Sequence, residues 1–145
     1  MILLAGLLTL VLAVIAALHA YWGFGGVWPG RDAADCARRI AGFRDIRVMP
    51  GPAASFAVAG LLALAGLVPV AIIVPFATPA SSLPAIAGLG VAVVFLARGI
   101  AGFTPAWRRL TPEQPFAVLD VRYYSPLCLA IGAGFAALAI KGFSS

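Results

Sequence analysis

Residues 2–30 read ILLAGLLTLVLAVIAALHAYWGFGGVWPG. Up to Leu18 the stretch is hydrocarbon, interrupted only by Gly6 and Thr9. Then come the chain's single histidine, His19, two aromatic residues, three glycines, Trp28 and Pro29. A helix rises about 1.5 Å per residue, so about 20 apolar residues cross the roughly 30 Å hydrocarbon core of a bilayer. Residues 2–24 are long enough to do so. The same length, and the lack of a basic n-region, argue against a cleavable signal peptide.

Three further runs have this character, at about 53–76, 84–103 and 125–143. The composition agrees: 63% of the 145 residues are hydrophobic, 10% are charged, and the mean hydropathy is +1.06. Soluble domains carry about 25% charged residues. The expected fold class is all-α, a four-transmembrane-helix bundle forming one integral membrane domain over 1–145, with no internal repeat. Pro69 and Pro75 fall in the outer half of the second run, and Pro69 should kink it or open its last turns. The uncharged turn ATPASSLP, 77–84, should make the second and third helices antiparallel neighbours. Small residues spaced by four would let the backbones approach: Ala13 and Ala17, Ala16 and Ala20, Ala59 and Ala63, Gly88 and Ala92, Ala97 and Ala101, Gly132 and Ala136, Ala130 and Gly134.

Charge gives the orientation. The two long connections, 25–52 and 104–124, share one side and carry eight arginines, with Arg98 just inside the membrane. The other side has only Lys141. Nine basic residues against one predict cytoplasmic long loops and both termini outside, in a multi-pass protein of a cell inner membrane. All five acids, Asp32, Asp35, Asp45, Glu113 and Asp120, also fall in the long connections. Within the first, Cys36, Ile40 and Phe43 form an apolar stripe, Asp35 and Arg39 an i,i+4 pair, and Asp32 an N-cap. This predicts a short interfacial helix with its arginines toward lipid phosphates.

Several candidate residues gather at the arginine-rich end. His19 has Trp22 and Gly23 on its helical face; it either belongs to an interfacial aromatic belt with Tyr21, Trp22 and Trp28, or faces a polar pocket as acid, base or donor. The glycines at 23, 25 and 26 would give the chain room to turn over such a pocket. Arg98 either snorkels to the interface or turns inward to pair with an acid or an anionic ligand. Ser125 and Pro126 read as N-cap and first residue of the fourth span, whose free N–H groups would favour an anion. Asp120, Tyr123 and Tyr124 precede that start, and Asp120 could neutralise Arg98 or orient His19.

Three motifs in these stretches, HAYWGFGGVWP, ARGIAGF and LDVRYYSPLCL, resemble those of a bacterial family of small four-helix membrane proteins known only as a domain of unknown function. The resemblance covers nearly the whole chain. It implies the same four-span fold and a shared site at His19, Tyr21, Trp22, Arg98, Asp120, Tyr124, Ser125 and Pro126. It implies no activity, substrate or cofactor.

Other classes are weakened. One histidine cannot form a two-histidine haem site. Cys36, Cys128 and His19 lack zinc-ligand spacing, and there is no C-x-x-C pair for thiol redox chemistry. A structural disulfide is not expected between cysteines that face a reducing cytoplasm. A proton-coupled exporter should carry an acid deep in a span. There is no soluble platform for nucleic acid and no phosphate-binding glycine loop. Two readings stay open. One is a ligand- or lipid-binding membrane protein, in which His19, Asp120 and a tyrosine serve as acid–base groups and Arg98 clamps an anionic or amphipathic small molecule. The other is a non-catalytic accessory subunit, or homo-oligomer, whose polar residues only lock helix packing. Membrane lipids are partners in both.

Overall fold

The structure is a computed structural model and describes residues 1–74 and 82–144. It is helical, with no strand among the described residues. The order is α1 (Ile2–Gly23), α2 (Ala33–Ile40), α3 (Pro52–Ile73), α4 (Leu83–Ala101), α5 (Pro105–Leu110), α6 (Phe116–Leu119), a π-helical turn (Asp120–Tyr124) and α7 (Ser125–Phe143). Four segments are long and apolar enough to cross a membrane: Ile2–Gly23, Pro52–Ile73, Leu83–Ala101 and the continuous Phe116–Phe143. Pro75 and most of the turn at 77–84 lie outside the described residues.

The long helices pack as two close pairs, α1 with α3 and α4 with α7. Small residues set the spacing, though fewer than the sequence pattern offers. Ala16, Ala59, Gly88, Ala92 and Gly132 are buried. Ala13, Ala17, Ala63, Ala97 and Ala130 point outward, because only one face of each helix meets a neighbour. A methyl group on Gly99 or Gly132 would come within 2.7 Å of Leu129 or Leu96. Leu8, Leu12, Ala92, Ile131, Phe135 and Leu138 then fill the space between the pairs. Outward lie Leu3, Leu7, Leu10, Leu61, Leu64, Leu67, Val93 and Val94, all well exposed. An apolar exterior around a small-residue interior suits a hydrocarbon solvent.

Pro69 sits inside α3 without ending it; the helix runs on to Ile73, and Val74 N–H still reaches the Val70 carbonyl at 3.0 Å. The carbonyl of Gly66, three residues before the proline, accepts a hydrogen bond of 2.9 Å from Thr9 Oγ1 on α1. The carbonyl that Pro69 leaves without its helical amide is that of Ala65, one residue earlier, so the Thr9 bond ties α1 to α3 beside the proline rather than replacing the lost bond.

The two long connections lie at one end and are hydrogen-bonded to each other. Arg44 N–H donates to the Leu110 carbonyl and Glu113 N–H to the Gly42 carbonyl, both at 3.2 Å. The short helix expected in the first connection is α2. Asp32 caps it, accepting from Asp35 N–H at 2.8 Å. Gly42 ends it: its φ of +64° is the left-handed conformation that favours glycine, and a Cβ there would collide with the Phe116 ring. Three arginines of this segment share one internal acid while staying partly to largely exposed, the Arg31 side chain at 85%. Arg31, Arg38 and Arg39 converge on the buried carboxylate of Asp35, at 3.5, 3.7 and 3.2 Å.

The largest departure from the sequence reading is at the start of the fourth span. Ser125 is no N-cap. The helix begins at Phe116 and passes through the π turn into α7, with Ser125 N–H bonded to the Asp120 carbonyl. A proline ring inside a regular α-helix clashes with the carbonyl four residues earlier. The wider π turn just before Pro126 relieves that clash, so a serine–proline pair that usually starts a helix here lies within one. No free helix N-terminus is presented at Ser125, and the anion-binding amides expected there are taken up by the helix.

Candidate functional site

Asp120 is the centre of the polar end. The π turn directs its side chain between α4, α5 and α7, where the residue is 2% exposed. Three elements donate to it. Arg98 Nη2 on α4 meets Oδ1 at 2.6 Å. Ser125 Oγ on α7 donates to the same oxygen at 3.1 Å, and itself accepts from Arg98 Nη1 at 3.3 Å. Trp107 Nε1 on α5 donates to Oδ2 at 2.9 Å. The Arg98 guanidinium also lies over the Trp107 ring, 4.6 Å from its centroid. Arg98 therefore faces inward, and Asp120 belongs to a candidate spanning helix, which corrects its expected place in a loop.

Three residues beyond the expected set make this closure work: Trp107 itself, Thr104 and Gly102. Thr104 caps α5 by accepting from Trp107 N–H at 3.3 Å, and its own hydroxyl donates to the Ala101 carbonyl at 2.7 Å. That turn aims the indole back at Asp120. Gly102, just past the end of α4, is buried against Ser125 and Asp120; a Cβ there would overlap Ser125 Oγ. The threonine–proline pair at 104–105 is itself a helix-start signal and could have located α5.

The other expected residues do not join this group. His19 Nδ1 faces the Ile15 carbonyl of its own helix at 2.9 Å, and its ring packs edge-on to Trp22 at 5.0 Å. Trp22 Nε1 donates to the Trp28 carbonyl at 2.7 Å, and Tyr21 OH accepts from Trp28 N–H at 3.4 Å. These three therefore brace the turn after α1. The glycines there make room for this brace and for α3: Gly26 is covered by the Tyr21 ring and Gly23 by Phe56. Tyr124 turns toward α2, where its hydroxyl donates to the Arg39 carbonyl at 3.1 Å and satisfies a last-turn acceptor. Pro126 is exposed. So Arg98, Asp120 and Ser125 meet, while His19, Tyr21, Trp22 and Tyr124 serve separate contacts.

Electrostatics outside the spans centre on α2. The Arg31 backbone N–H is the main influence holding the Asp35 carboxyl below its usual range, with help from Arg39 and Arg31 side chains and against the cost of burial. Burial pushes the Cys36 thiol up. No group of three or more metal-ligating side chains occurs among the described residues.

A family model described as "Protein of unknown function (DUF3995)" matches residues 12–135. The chain belongs to that family. The match spans all three motifs, HAYWGFGGVWP, ARGIAGF and LDVRYYSPLCL, and so includes Arg98, Asp120 and Ser125. No curated protein and no solved structure matches the chain.

Proposed function

We propose that this member of the DUF3995 family is a multi-pass membrane protein whose Arg98–Asp120 cluster is a structural lock, and that it acts as a non-catalytic accessory or assembly subunit through its surfaces. One observation carries the reading: both oxygens of Asp120 are already engaged, by donors from α4, α5 and α7 of the same chain. A general base must have a free acceptor within about 2.6–3.2 Å of the proton it takes. Three of the carboxylate's roughly four acceptor positions are taken by its own chain and Asp120 is 2% exposed, which leaves a substrate proton little access, and His19 is turned to its own helix. A buried carboxylate held by donors from three helices specifies how they dock, and losing one of those donors would be costly. The nine-to-one distribution of basic residues supports a bacterial inner membrane, long loops cytoplasmic and termini outside.

The test compares gently purified wild type with Arg98→Lys by native mass spectrometry and by thermal unfolding. A lock predicts lower stability in the variant and no small molecule whose retention depends on Arg98. A co-purifying molecule held by the wild type and lost from a folded Arg98→Lys protein would replace the lock with the ligand-site reading.

A further inference from the structure

The five acids of this chain fall into two groups. Asp32 caps α2, Asp35 holds three arginines, and Asp120 holds Arg98. Asp45 and Glu113 have no cationic partner among the described residues, yet both line one open cleft of about 190 Å³ with Arg38 and Arg47. Arg47 is exposed and makes no ion pair among the described residues. The backbone fixes the two acids beside each other. Asp45 sits at φ +57°, and its N–H is held by Glu113 Oε1 at 3.1 Å, across the joint between the two connections. Arg38 reaches the cleft with one nitrogen on Asp35, while Arg47 on one side and Asp45 and Glu113 on the other share it without an ion pair among the described residues, which leaves room for a guest that satisfies both signs.

We propose that this cleft binds the headgroup of an aminophospholipid, with the phosphate toward Arg47 and Arg38 and the primary ammonium toward Asp45 and Glu113. Arginine is suited to phosphate through its planar fork. A primary ammonium offers three N–H donors, which suit two carboxylates better than the quaternary ammonium of a choline headgroup, which has none. A purely anionic headgroup would face both acids and be repelled by them. The cleft also contains Ala34 and Ile46, and the exposed Phe43 and Val48 flank it in sequence, which suits the glycerol and upper acyl chain of a lipid. This inference does not depend on the Arg98–Asp120 lock, which involves different residues.

The test is native mass spectrometry of the purified full chain in detergent, titrated with short-chain phosphatidylethanolamine, phosphatidylcholine and phosphatidylglycerol, and separately with chain-free O-phosphoethanolamine. Phosphatidylethanolamine should bind about threefold to tenfold more tightly than the other two lipids, the scale of one or two partly exposed charge-assisted hydrogen bonds. Arg47→Gln should weaken it by a similar factor. The double variant Asp45→Asn, Glu113→Gln should abolish the preference over phosphatidylcholine. Asparagine accepts the left-handed backbone at position 45 and glutamine keeps an oxygen for the Asp45 amide, so the variant should fold; an unchanged unfolding temperature checks this. Phosphatidylglycerol binding as tightly as phosphatidylethanolamine, or a preference that survives the double variant in folded protein, would overturn the proposal. Equal binding by chain-free phosphoethanolamine would overturn the lipid assignment.

Discussion

At the scale of single residues, Arg98 and His19 make opposite predictions although they look alike in the sequence, each an ionisable group near the arginine-rich end of a span. Arg98 serves two partners with one planar fork and stacks on Trp107. Lysine would keep the charge but neither the fork nor the flat face, so Arg98→Lys should cost about 1–2 kcal/mol in thermal or denaturant unfolding. Asp120→Asn should cost more, about 3 kcal/mol, because it leaves Arg98 without its counter-charge; the 29% exposure of the Arg98 side chain keeps the value at the low end for buried pairs. A wild-type unfolding curve for Asp120→Asn would refute the lock. His19 is a different case. Its partner carbonyl, Ile15, is one that the α-helix already supplies with an amide. His19→Gln and His19→Phe should therefore each stay within about 0.5 kcal/mol of wild type. A loss of 2 kcal/mol or more would reveal a partner across the helices.

At the scale of elements, α2 is the part most open to control by pH. Its N-terminal turn is held by the ionised Asp35 carboxylate, and the carboxyl's affinity for protons is lowered on folding. Such a group stabilises the fold fully above its ordinary value of 3.8, and the contribution is lost as pH falls through the lower folded value. Amide exchange protection in α2, corrected for intrinsic rate, should be flat from pH 7 to about 5 and fall below about 4. Asp35→Asn should be less protected at neutral pH and show no such fall. The buried Cys36 reports the same element: with Cys128→Ala as background, its alkylation at neutral pH should be slow and should accelerate in Asp32→Ala, which removes a cap worth about 1 kcal/mol. Elements of this kind were unevenly legible in the sequence. The four long helices were readable because hydropathy over about 20 residues is a one-dimensional property. The cap at Asp32 and the pairing of Asp35 with Arg39 were readable because they are local. The continuation of the helix through Ser125 was not, because serine followed by proline carries the same start signal whether or not a π turn precedes it. The partnership of Arg98 with Asp120 was open as one of several pairings. Trp107 and Gly102 were invisible, since what makes them matter is the return of α5 over the end of α4, a tertiary fact with no period or spacing to announce it.

At the scale of the whole molecule, charge should decide which way the protein faces. Every arginine lies at or beside the end where the two long connections meet, and that joint is built from contacts between the connections themselves, such as Arg44 N–H to the Leu110 carbonyl and Asp45 N–H to Glu113. The end is thus one folded cap rather than two independent loops, and it must stay on one side as a unit. Translocating it would carry eight arginines across the bilayer, and basic residues near span ends are what retain a loop in the cytoplasm. Some of these arginines are neutralised within the cap, since Asp35 engages three. The retention signal nonetheless counts basic residues rather than net charge. Single cysteines placed by Arg47→Cys and Ser144→Cys, in a background lacking the native thiols, should give opposite labelling with a membrane-impermeant maleimide. In intact cells whose outer barrier is permeabilised, position 144 should react and position 47 should react only after lysis. Replacing Arg44, Arg47, Arg108 and Arg109 together with glutamine, and adding lysines after position 144, should shift part of the population to the reverse pattern. Labelling of position 47 in intact cells with protection of position 144 in the wild-type sequence would overturn the orientation, and would put the Asp45–Arg47 cleft against the outer leaflet.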